Sequence, residues 1–245
     1  MSPEQQPPPG RSSWNFLSIV VVVVLFAGLG VLLLRPLVQT VGHRPMPPCR
    51  RNLQQIGLTL HNFHEDYGAF PPAYVAAENG KPLYSWRVLI LPYLNAQELY
   101  DRFDLSQSWD SPANLPLLKQ MPDVFRCPTD EDSRVTETSY AGIFGPNCVF
   151  RGAEPVKFED ITDGMSNTLM VGESAGRRIP WTKPEDIDVS KQATINQESG
   201  FRGSHESGAY FMFVDGSLRF IDKHTSQETL MNLFERNDGN PLEEF

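Results

Sequence analysis

Three groups of side chains have types and spacings that could do chemistry. His61 and His64, followed by Glu65, fall three residues apart in a helical stretch. Residues at i and i+3 share one side of a helix, so both imidazoles could approach one metal ion. The alternative is that they flank the buried stripe of that helix and hydrogen-bond to loops. The order is H-x-x-H-E, not the H-E-x-x-H of a zinc protease. His205 and Asp215, with nine residues between them, are candidates for a general base and its orienter. That chemistry needs a nucleophile, and no G-x-S-x-G is present. The alternative makes Asp215 a turn residue and leaves His205 bonded to backbone. Asp160, Asp163, Ser166, Asn167 and Thr168 form an oxygen-rich loop around Gly164. Calcium takes oxygen ligands, but the spacing does not match the D-x-[DN]-x-[DN]-G loop, and Asx turns account for the same residues.

Cys49, Cys127 and Cys148 allow three single pairings with one thiol left over. No C-x-x-C pair points to a zinc knuckle or a thioredoxin-like site. No glycine-rich phosphate loop sits between a strand and a helix. The net charge of −9 argues against nucleic-acid binding, which needs a basic face.

The elements that must position these groups follow from periodicity. The chain has 245 residues, 40% apolar and 21% charged, with 21 prolines and 18 glycines. Residues 1–13 are polar and proline-rich and read as disordered. Residues 16–34 carry no charge, and 19 residues at 1.5 Å each reach about 28 Å. The sequence therefore predicts one transmembrane helix over 14–35, uncleaved because no A-x-A-like site follows. Arg35, Arg44, Arg50 and Arg51 follow it and, by the positive-inside rule, pull the rest of the chain toward the cytoplasm. Residues 36–48 read as a proline-rich linker.

From 49 to 67, Leu53, Ile56, Leu60, Phe63 and Tyr67 make one apolar stripe, stopped by Gly68 and Pro71-Pro72. Residues 85–103 read as two short helices hinged at Pro92, with Asn95 and Glu98 as a capping box. Residues 110–128 read as irregular. Strands are expected at 139–144 and 168–173, and a hairpin at 209–214 and 217–222. Its Asp215-Gly216 pair suits a type I′ turn. The stretch 174–204 reads as loop anchored by Trp181 and Pro184. Thr225 and Glu228 would cap a last helix through about Arg236.

Several blocks, in order, resemble the pseudopilin-like family of planctomycete bacteria, domain of unknown function 1559. They are the run from Cys49 through Asn52 to His61 and His64, then Gly68 to Pro72, and SWRVLILPYL from Ser85. Trp109 to Pro112, the pair Cys127-Pro128 with Phe125, and Thr138 to Gly142 follow. The last are Ile161 through Asp163-Gly164 to Ser166-Asn167-Thr168, then Pro180-Trp181 to Asp186, and His205 to Asp215-Gly216. The resemblance covers roughly 49–240 and gives Trp86, Pro128 and Trp181 structural roles beside the histidines and the Asp163–Thr168 loop. It implies an α+β, pilin-like domain over 49–240, a spine helix packed on a small antiparallel sheet, with a tail at 241–245. It implies an exported, membrane-anchored envelope protein held by residues 16–34, with no catalytic activity and no cofactor. Partners would be further copies or other pilin-like subunits, and one disulfide, with Cys49 and Cys127 as the candidate pair, would then fit. The prepilin motif G-F-T-L-x-E is missing after Gly10, and with it the glutamate expected to pair with a neighbouring subunit. A surface module binding a carbohydrate or a divalent cation through 174–204, Trp181, His205 and the Asp163 loop is the alternative.

Overall fold

The computed structural model describes residues 15–34, 47–131, 134–190, 194–197, 200–204 and 207–240. The chain divides into two units, Met1–Met46 and Pro47–Phe245.

The first unit contains helix α1 (Phe16–Leu34). Among the described residues, no helix is long and apolar enough to cross a membrane. The transmembrane helix over 14–35, and the single-pass membrane localisation built on it, are corrected accordingly. The expected disordered segment 1–13, most of the linker 36–48 and the tail 241–245 lie outside the described residues.

The second unit opens with α2 (Pro48–Tyr67). Proline at the first helical position lacks only an amide that would be unpaired there anyway. Gly68 ends the helix in the left-handed conformation, and its N–H donates to the His64 carbonyl. Leu53, Ile56, Leu60 and Phe63 are buried. Tyr67, expected in the same stripe, is 69% exposed and stacks on Phe63 from outside.

A two-stranded ribbon, β1 (Tyr74–Ala76) and β2 (Pro82–Ser85), leads into α3 (Trp86–Leu89), a 3₁₀ turn at Leu91–Leu94 and α4 (Gln97–Arg102). The capping box does not form. Asn95 is itself left-handed, φ 56°, and its N–H closes the preceding turn on the Leu91 carbonyl. Residues 110–128 hold two 3₁₀ turns, Leu115–Gln120 and Asp123–Phe125.

The remaining strands are β3 (Glu137–Thr138), β4 (Tyr140–Phe144), β5 (Leu169–Glu173), β6 (Ile179–Pro180), β7 (Ile187–Asp188), β8 (Gly208–Phe213) and β9 (Leu218–Asp222). β3 pairs only with β6, and the main sheet has the order β7-β4-β5-β8-β9. All its pairs are antiparallel except β4–β7, which is parallel. The hairpin turn is not type I′, since Gly216 has positive φ and Asp215 does not. The Gly216 N–H donates to the Phe213 carbonyl, and the Phe213 N–H to the Ser217 carbonyl. That is a type I turn closed by a left-handed glycine. The last helix, α5 (Gln227–Phe234), is capped by Ser226 rather than Thr225, because the Ser226 Oγ accepts from the Thr229 N–H at 3.0 Å.

The sheet is buried on both faces. Val171 and Met212 pack toward Leu53, Ile56 and Leu60 of α2, while Leu169, Phe211 and Phe213 pack toward Leu230, Leu233 and Phe234 of α5. Along β8 this division follows from the alternation of a strand, while in β5 a register shift between Leu169 and Val171 turns those two residues to opposite faces. A Cβ on Gly57 would lie 2.3 Å from the Met212 sulfur, so this glycine permits the close approach of α2 to β8.

Among the described residues, one ion pair lies inside. Arg87 Nη2 donates to Asp186 Oδ1 at 2.6 Å, and neither side chain is more than 2% exposed. The guanidinium also donates to the Tyr140 carbonyl at 2.9 Å and to Ser85 Oγ at 2.7 Å. Asp186 accepts from the Gly142 N–H at 2.7 Å and from Trp86 Nε1 at 3.1 Å. Breaking such a pair from one side leaves an uncompensated buried charge, at a cost of about 3–5 kcal/mol. R87M should therefore lower the urea-unfolding free energy by about that amount, while R87M/D186L together should lose much less than the two single losses added. Strict additivity would show that the two side chains do not act as a pair.

Candidate functional site

Cys49 occupies the second position of α2, and Cys127 follows the 3₁₀ turn at Asp123–Phe125; the two are disulfide-bonded, with Cα atoms 4.9 Å apart. The Thr129 hydroxyl lies 3.1 Å from the Cys49 sulfur, 3.0 Å from the Cys127 sulfur and 2.8 Å from Ser204 Oγ. The Cys127 N–H donates to Ser139 Oγ, which donates to Asp130 Oδ2 at 2.8 Å. Glu173, the last residue of β5, completes the cluster. Its carboxylate and the two sulfurs lie within 4.8 Å of one another.

Glu173 is 1% exposed. Its Oε2 accepts from the Tyr210 N–H at 2.8 Å, and its Oε1 has no hydrogen-bond partner among the described residues. Burial pushes its carboxyl up to about 7; the Tyr210 bond opposes this and the Asp130 charge adds to it. Above the cluster opens a cleft of about 610 Å³, whose lining includes Thr129, Asp130, Glu131, Arg202, Ser204 and Lys223. Gly203 also lines it, and a Cβ there would lie 2.9 Å from Glu173 Oε2, so the carboxylate sits directly beneath the cleft floor.

The residues singled out from sequence are placed elsewhere, except the two cysteines. His61 and His64 join an aromatic cluster. His64 stacks on Phe158 with centroids 3.6 Å apart, and His61 sits edge-on to Phe70 at 5.7 Å. Burial first, then the neighbouring His61, lowers the His64 pKa. Among the described residues, the group able to share a metal is Cys49, Cys127 and Glu173, without either histidine. Asp163 accepts from the Asp238 and Gly239 N–H groups at 2.7 and 2.9 Å, which ties its loop to the segment after α5. Asn167 donates to the Asp163 carbonyl and Thr168 to that of Gly164; Ser166 is exposed. Those bonds, with Asp160 accepting from the Lys157 N–H, are the turn chemistry weighed against calcium. Trp86 and Trp181 are fully buried, the second donating to the Leu118 carbonyl at 3.0 Å, so Trp181 is not a surface aromatic for a ligand. Pro128 is exposed beside Cys127, and Pro184 is half-buried. Asp215 accepts from the Ser217 N–H within its turn, and Gly216 faces His61; His205 lies outside the described residues. Cys148 is a buried free thiol.

A family model described as protein of unknown function (DUF1559) matches residues 48–147 and 132–200, more than half of the chain. The chain belongs to this family. The match takes in Arg87, Asp186, both bonded cysteines and Glu173. No curated protein and no solved structure matches the chain.

Sequence reasoning missed Glu173, Thr129 and Ser204. One sign was available: an acid closes the otherwise apolar run LMVGE. Its raised pKa has a consequence for stability. Between the ordinary glutamate value of 4.5 and about 7, the native state holds a proton that the unfolded chain has lost. The stabilisation is complete below pH 4.5 and is lost as pH rises through about 7. The slope is at most about 1.4 kcal/mol per pH unit. Urea unfolding of the wild type and E173Q from pH 4.5 to 7.5 should show the slope in the first and a flatter profile in the second. Equal slopes would remove Glu173 as the source.

Proposed function

We propose that the chain is a non-enzymatic, pilin-like scaffolding component of the cell envelope. The observation that carries this reading is the Cys49–Cys127 bond, which staples the start of the spine helix α2 to the body of the domain. Disulfides persist where the surroundings are oxidising, and closing a loop across 78 residues restricts the unfolded chain strongly. The α2-on-sheet packing supports a pilin-like plan, and the burial of both sheet faces supports a structural role for the sheet. Crosslinking on intact cells, followed by mass spectrometry, should give covalent pairs between copies of the chain or with other pilin-like subunits. A strictly monomeric protein at native abundance would overturn the proposal.

The polar cleft over Asp130 and Glu131 favours a second reading, a ligand-binding module for a divalent cation or a carbohydrate. A thermal-shift screen of the oxidised chain against calcium and soluble glycans separates the two, because a ligand of the native state must raise the midpoint.

A further inference from the structure

The cluster under the cleft contains more than a structural crosslink needs. Glu173 Oε1 is buried and unpartnered, an arrangement that costs free energy unless the group has another role. The Glu173 carboxylate and both cysteine Sγ atoms lie within 4.8 Å of one another. In a tetrahedral zinc site, ligands at about 2.0–2.3 Å from the ion lie roughly 3.5–3.8 Å apart. A small separation of the two sulfurs would therefore bring all three groups around one ion.

We infer that, in the reduced chain, the Cys49 and Cys127 thiolates and the Glu173 carboxylate bind one thiophilic divalent cation of the Zn²⁺ type. The fourth position faces the cleft. Disulfide and metal are mutually exclusive states of the same sulfurs. The surroundings suit thiolates. Cys49 lies in the first turn of α2, which contains no acidic residue, and a helix N-terminus favours negative charge. The Thr129 hydroxyl, at 3.1 and 3.0 Å from the two sulfurs, is placed to orient them as an outer hydrogen-bonding partner. Thr129 and Ser204 both line the cleft and provide the route by which an ion reaches sulfurs that are otherwise covered.

The inference goes beyond the scaffolding role and is tested separately, on the reduced chain. A phosphine reductant with one water converts the disulfide to two thiols and becomes the phosphine oxide. The thiol protons pass to solvent as the ion binds. The full-length protein, reduced and desalted without oxygen, is titrated with Co²⁺ in a C148A background. The expected result is one Co²⁺ per chain, with thiolate-to-cobalt charge-transfer absorption that Zn²⁺ abolishes, and no such band in the oxidised protein. E173Q should weaken Co²⁺ binding about tenfold or more and change the visible d–d bands. Circular dichroism confirms that each protein is folded. A folded, reduced wild type without charge-transfer absorption would overturn the inference. So would E173Q that binds with unchanged affinity and spectrum.

Discussion

The fold depends on placing a cation where no water reaches it. Arg87 has no exposed surface, so every donor of its guanidinium needs a partner inside the protein. One partner, Ser85, lies beside it, and the others come from distant parts of the chain: the Tyr140 carbonyl on β4 and Asp186 just before β7. A buried ion pair adds little net stability against its own desolvation, so its contribution here is selection of one arrangement. Asp186 takes the Gly142 N–H, and Ile187 pairs with Ile143 immediately afterwards. Arg87 and Asp186 thus occupy the edge of β4 where β7 is too short to reach.

Tyr140 connects this ion pair to the disulfide cluster. Its carbonyl accepts from Arg87, its hydroxyl donates to the Cys49 carbonyl at 3.0 Å, and in the β4–β5 ladder it sits opposite Glu173. The spine helix is therefore held twice near its start, by a covalent bond to Cys127 in the loop after the Asp123–Phe125 turn and by the hydroxyl of a buried tyrosine on β4. Small glycines complete the fit: Gly57 admits Met212, and Gly142 admits the ring of Phe150.

The parts of this architecture that repeat with a fixed period were legible in the sequence. The stripe of α2, the β-rich run of β8 and the glycine after Asp215 each follow from local geometry. Features set by one backbone torsion were not. Asn95 looked like a cap and is a left-handed stop, and Asp215 looked like half of a type I′ turn but lacks the positive φ. The Asp163 loop looked like an ion site because its oxygens were counted without their donors, which lie 75 and 76 residues away. The cluster under the cleft was illegible for the same reason. It draws on residues 49, 127, 129, 173 and 204, and no spacing rule joins them.

Glu173 is dry because of how the chain crosses it, not because of its own sequence neighbours. A Cβ on Gly203 would come within 2.5 Å of the Gly208 carbonyl as well as 2.9 Å of Glu173 Oε2. Only a residue without a side chain lets the 200–204 segment close down at that point. That segment is held in register by Ser174 and Arg202, which pair in parallel just past the end of β5. One carboxylate oxygen is satisfied by the Tyr210 N–H on the neighbouring strand, and the carboxylate lies within 4.8 Å of the two sulfurs. Both faces of the sheet are used for packing, and the Glu173 cluster sits at a strand end. There the covering loop, the strand terminus and the helix N-terminus meet, and a charge can be kept from water yet remain one side chain away from it.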